Sequence, residues 1–263
     1  MSFAPSIATL GLLQAALVAL PRPRRFAWLD AFRSPWWAMV PALSIVVVIG
    51  IVAWEGESAT ALSWLALVAV PPFAALALGW LVHGGRPAWA LAVVPLFALA
   101  CASTDTLAGE TAATALTALG CIGLGWLLAS VAPPRWLVWG IYAMAAVDTV
   151  FVVADLLQGP NAVLSAAAPS GLPRLQVVNF GDAVMGFGDL FVAATLGCLL
   201  AANRRTQLRA AALVAVLALT FDLLFFAVDT LPATVPVALA LALIELRDRR
   251  VRGAAAPTPR RFG

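Results

Sequence analysis

Six aspartates lie in apolar stretches in the second half of the chain, as the pairs Asp148 and Asp155, Asp182 and Asp189, and Asp222 and Asp229. No Arg or Lys lies between the two members of any pair. An ionised group at the centre of a bilayer costs about 2.5–3.5 kcal/mol on insertion scales, so each of these acids is a candidate site residue. Within each pair the spacing is seven residues, which on a helix is about two turns, or about 10.5 Å along one face. If the helices bearing the first two pairs run antiparallel, Asp148 opposite Asp189 sets Asp155 opposite Asp182 one layer away, with Asp222 and Asp229 beside the two layers. Two carboxyls a few ångströms apart in low dielectric do not both ionise and hold a single proton between them. That state lets one carboxylate activate a water while the other acid protonates a carbonyl or leaving oxygen. Asp148 and Asp189, set deeper in their runs, fit this role. Asp155, Asp182, Asp222 and Asp229 are candidates for the mouth and supporting shell.

The elements that hold these acids must be membrane helices. The 263 residues are 63% hydrophobic and 11% charged, with a mean hydropathy of +0.97. A soluble domain carries roughly 25% charged residues. Apolar runs of about 20 residues, the length of a span, predict an all-α polytopic membrane protein with about nine transmembrane helices. The runs are 3–20, 36–54, 60–82, 88–104, 111–131, 135–157, 176–202, 208–228 and 230–246. Phe3 to Leu20 reads as a first span with a basic stop, Pro21-Arg22-Pro23-Arg24-Arg25, rather than as a signal peptide.

The basic residues are all Arg, and their placement gives an orientation. With nine spans, every Arg-bearing connection falls on one side except that of Arg174, while Glu55, Glu57, Asp105 and Glu110 fall on the other. The positive-inside rule then places the N-terminus outside and the C-terminus in the cytoplasm of a plasma membrane of prokaryotic type. The net charge of +3 follows from this topology and does not indicate a nucleic-acid partner. Spans one to five (1–134) read as a scaffold, spans six to nine (135–246) as a core bearing the acids, and 247–263 as a disordered Arg-rich cytoplasmic tail that touches anionic lipid. Cys101, Cys121 and Cys198 sit in apolar runs without paired spacing, and His83 stands alone at a segment end. No metal site and no cofactor is expected from them.

Gly186-Phe187-Gly188-Asp189 resembles the GxGD signature of intramembrane aspartyl proteases. With its Asn179-Phe180 lead-in and the apolar run from Leu190, the stretch is similar to the seventh span of the presenilin and signal peptide peptidase family. Asp148 occupies the place of that family's first catalytic aspartate, with Val147 where the family has Tyr. Leu231-Pro232-Ala233-Thr234 is similar to its Pro-Ala-Leu signature, with Thr234 in place of Leu. The resemblance covers about 135–246. It implies a nine-span fold and a catalytic pair, Asp148 and Asp189. It implies also that Gly186, Phe187, Gly188, Leu231, Pro232 and Ala233 shape the site, and that the substrate is a membrane-spanning helix or remnant signal peptide. Absent side chains at Gly186 and Gly188 allow close backbone approach, and Pro232 frees backbone groups for an extended substrate. Three other readings remain: a prepilin-peptidase-like GxGD protease, a proton- or cation-coupled transporter, and a homologue that binds helices without cutting them.

Overall fold

The computed structural model describes residues 3–254 except 55, 83, 84, 105, 157, 158, 160–162, 164–166, 168–170, 227 and 229. These residues are largely helical. The helices in chain order are α1 (Phe3–Ala19), α2 (Val40–Trp54), α3 (Gly56–Leu76), α4 (Val93–Ala102), α5 (Leu107–Val131) and α6 (Pro134–Val153). After a two-stranded hairpin come α7 (Phe187–Leu200), α8 (Arg204–Asp222) and α9 (Val235–Ala254). Their boundaries follow local chemistry. The Thr106 hydroxyl accepts the Gly109 N–H to start α5, the Asn203 side chain accepts the Thr206 N–H to start α8, and Pro134 sits in the first turn of α6, where its missing N–H costs nothing. Pro71 and Pro72 lie inside α3, which ends in a wide π turn over Ala77–Leu81; both features deflect a helix.

Among the described residues, four helical stretches are long and apolar enough to cross a membrane: Ala59–Leu81, Leu107–Val131, Pro134–Val153 and Arg204–Phe225. Pro5–Ala19, Pro87–Ala102 and Phe187–Leu200 are shorter apolar helices. This architecture is consistent with a polytopic membrane protein.

Two expectations are corrected. The run 176–202 is not one helix. Val177–Phe180 (β1) and Ala183–Gly186 (β2) pair as an antiparallel hairpin, Val177 opposite Gly186 and Phe180 opposite Ala183. Only then does α7 begin, and its 14 residues span about 20 Å. Gly181, at φ +58°, takes the first central position of the two-residue turn, where a type II′ hairpin places glycine. The Glu110 carboxylate accepts the Gly181 N–H at 2.9 Å and so fastens the turn to α5. The tail is corrected as well: α9 continues through residue 247 to Ala254, and residues 255–263 lie outside the described set.

α7 is the innermost element. It packs against α1, α5, α6, α8 and α9, and every residue from Leu190 to Gly197 is buried. α1 packs along both α7 and α8 and touches β2. One continuous apolar cluster runs from Leu10 and Leu17 through Ile122 and Leu190 to Val237. The expected division at residue 134 therefore does not separate α1 and α5 from the helices carrying the acids. The α1–α7 approach depends on Gly197, where an added Cβ would lie 2.5 Å from the Leu17 carbonyl oxygen and 2.8 Å from Val18 Cα. At the same level the buried Gln207 donates to the Pro21 carbonyl at 2.8 Å and to the Gly197 carbonyl at 3.1 Å, tying α8 to both.

Candidate active site

Asp148 lies in the last two turns of α6, and Asp189 is the third residue of α7. The Asp189 carboxylate turns back to accept the N–H of Gly186 at 3.1 Å, filling one of the donors left open at a helix start. α6 and α7 are in contact. The third contributor is the non-helical stretch before α9. There the Thr234 hydroxyl, buried, donates to the Asp148 carboxylate at 2.6 Å.

The motif residues around the two acids divide by role. Gly186 ends β2, and the only group a Cβ there would meet is the Asp189 carboxyl, 3.2 Å away. Gly188 faces α6, where a Cβ would lie 3.1 Å from Met144 Cε, so its lack of a side chain lets α6 and α7 approach. Phe187 starts α7 and stacks on Phe191 at 6.4 Å, turned toward the packing rather than toward the carboxyls. Leu231 and Pro232 lie outside any helix or strand, Ala233 and Thr234 form a turn, and Pro232 is buried. The Pro232 carbonyl accepts the N–H of Val235, the first residue of α9.

The other acids do not form the expected second layer. α6 ends at Val153, and Asp155 lies beyond it, exposed, at φ +54°. Asp182 is in the exposed hairpin turn, not on the helix of Asp189. The two-turn spacing therefore places neither residue below its presumed partner. Asp222 ends α8, and one of its carboxyl oxygens is buried with no hydrogen-bond partner among the described residues. It lies against α1, 3.2 Å from where a Cβ on Gly11 would be. Asp229 lies outside the described residues.

Two site residues were not read from the sequence. Gln14, 1% exposed at the middle of α1, donates to the Ala233 carbonyl at 3.0 Å and sits 3.4 Å from the Asp189 carbonyl oxygen. It joins the first helix to both motif stretches. A Gln inside an apolar run was the available signal, since an amide placed there must find partners. Thr234, treated as a departure from a signature, is the group that contacts Asp148.

Replacing Gln14 by Leu leaves the Ala233 carbonyl without its donor and frees the turn that carries Thr234. A shift of about 1 Å in a reacting geometry costs about 10²-fold in rate. If the site is catalytic, as proposed below, Gln14→Leu is therefore expected to lower turnover by about 10²-fold, measured on folded protein in detergent, with KM changed far less.

Between α6 and α9 lies an open apolar groove of about 410 Å³, lined by Tyr142, Ala145, Thr149, Val235, Ala238 and Ala242. The Tyr142 hydroxyl, bonded to Glu245 at 3.1 Å, bridges the same two helices. Among the described residues no group of three or more His, Cys, Asp or Glu could hold a metal ion. No protein-family model, curated protein or solved structure matches the chain.

Proposed function

We propose that the protein is an intramembrane aspartyl protease of the GxGD type, with Asp148 and Asp189 as its catalytic pair. The observation that supports this reading is that α6, which bears Asp148, packs against α7, which bears Asp189 in its first turn and is the most enclosed helix. In the reaction one carboxylate takes a proton from water, and the water oxygen attacks the scissile carbonyl carbon. The other acid gives its proton to the carbonyl oxygen. The tetrahedral diol then collapses: the C–N bond breaks, one diol hydroxyl returns its proton to a dyad carboxylate, and the amine leaves with the proton of the other, which restores the singly protonated pair. Sharing one proton, such a pair gives a bell-shaped pH dependence of kcat/KM.

The surroundings suit a substrate that arrives as a helix and reacts as an extended strand. The small side chains on α6 and α9 leave a groove for an apolar helix. β2 is paired on one edge only among the described residues, and it leads directly into Asp189. An unwound substrate segment can add to that edge by backbone hydrogen bonds. A nine-span chain with N-terminus outside and C-terminus in the cytoplasm places the Arg-rich connections in the cytoplasm and belongs to the same proposal.

The test is purified protein in bilayers with a panel of single-span peptides, read by mass spectrometry. Products cut within the apolar stretch support the reading. Intact peptides together with proton or cation flux that depends on Asp148 and Asp189 overturn it in favour of a transporter.

The Thr234 contact supplies a finer test. A hydrogen bond to a charged group is worth about 1.5–3 kcal/mol, so Thr234→Val, which keeps shape and removes the hydroxyl, should slow cleavage by at least about tenfold. Thr234→Ser should restore most of it. Equal rates for the Val and Ser variants would remove Thr234 from the site.

A further inference from the structure

The ends of α1, α3 and α5 meet at one pole of the bundle, and a polar segment between α1 and α2 covers them. Arg22 donates its backbone N–H to the Leu81 carbonyl at 2.8 Å, and Ser34 donates to the Val131 carbonyl at 2.9 Å. The Trp126 indole N–H donates to the Arg24 carbonyl at 2.9 Å. The Arg24 guanidinium reaches the Gly85 turn, 3.5 Å from where a Cβ there would be, which brings it toward Arg86. The ion pairs in this segment are Arg25 to Asp30 at 3.7 Å and Arg33 to Asp30 at 3.6 Å. Arg22, Arg24 and Arg86 have no carboxylate partner among the described residues. Trp28 and Trp36 on the same segment, and Trp89 three residues after Arg86, are exposed by 65%, 80% and 57%.

Backbone bonds fix this segment against the helix ends, so its cations and indoles are held in place. Indole rings concentrate at headgroup level, where one edge is wet and the other greasy. Guanidinium groups are suited to phosphate because they present paired N–H donors. We propose that Arg22, Arg24 and Arg86, framed by Trp28, Trp36 and Trp89, form a seat for the headgroups of anionic phospholipids at this pole. The unpaired cations select anionic over zwitterionic lipid, and the tryptophans set the depth. The seat is independent of any chemistry at Asp148 and Asp189.

The experiment is native mass spectrometry of the full chain taken from vesicles of equal phosphatidylglycerol and phosphatidylcholine. Wild type is expected to retain phosphatidylglycerol about tenfold over phosphatidylcholine, since each Arg near an anionic surface adds attraction. The triple variant R22Q/R24Q/R86Q should retain the two equally. Soluble glycerol phosphate should not displace the lipid, because it lacks the acyl chains beside the tryptophans. Equal retention by wild type, unchanged preference in the triple variant, or displacement by glycerol phosphate each overturns the seat. If the triple variant does not fold, salt decides on wild type. The preference should collapse between about 0.05 and 1 M salt as exposed charges are screened, and a salt-independent preference rejects it.

Discussion

Asp148→Asn and Asp189→Asn are each expected to abolish the proposed cleavage, by about 10⁴-fold or more, with the double variant little worse than either. An amide keeps the shape of the carboxyl but neither takes a proton from water nor gives one to the carbonyl oxygen. General acid and base steps are each worth about 10²–10⁴-fold, and groups acting as a unit lose their effect together. The non-additivity is the sharper part of the result. Two acids that merely lined a hydrated cavity would give partial, additive losses. Asp155→Asn and Asp182→Asn, at exposed turns outside α6 and α7, should change the rate by less than about threefold, the scale of surface substitutions. Rates come from product peptides counted against protein confirmed as folded by size exclusion.

Gly197→Ala is expected to break the fold rather than the chemistry. The new Cβ meets the Leu17 carbonyl oxygen at 2.5 Å and Val18 Cα at 2.8 Å. Both belong to the backbone of α1, so no side chain can swing aside and the two helices must separate. Over-packing of this kind costs about 1–3 kcal/mol, and more when backbone must move. The loss extends to Gln14, 3.4 Å from the Asp189 carbonyl oxygen across the α1–α7 contact, and to Gln207 on α8, which donates to the Gly197 carbonyl itself. Gly50→Ala is the control, because a Cβ there meets nothing within 4 Å. Unfolding in graded denaturing detergent should show Gly197→Ala falling well below wild type and Gly50→Ala equal to it or slightly above.

Hydropathy made the largely helical character legible, and four of the apolar runs hold helices long and apolar enough to cross a membrane. Asp148 and Asp189 lie on helices, as their runs led one to expect, and those two helices are in contact. The seven-residue spacing failed for Asp155 and Asp182 because it assumed helix where none exists. The signal for the hairpin was present in Val177-Val178-Asn179-Phe180-Gly181-Asp182: branched and aromatic residues leading to a Gly-X turn. A long hydropathy run hid it, since an apolar strand and an apolar helix weigh the same on that scale. Gln14 and Thr234 were illegible for a different reason. Each acts across more than 80 positions of sequence, Gln14 on Ala233 and Thr234 on Asp148. Only folding brings those partners together. The Thr234 contact also reverses an inference: a residue that departs from a familiar signature still engages the acid beside it.

Water attack directed by Asp148 and Asp189 is tested most directly by running the reaction in ¹⁸O-labelled water. A single-span peptide is incubated with the bilayer-reconstituted protein, and the new carboxyl terminus is weighed. The dyad requires one ¹⁸O in a terminus that lies within the apolar stretch, and no such product from Asp189→Asn. Intact peptide with wild type, or labelled product from the Asn variant, would contradict it.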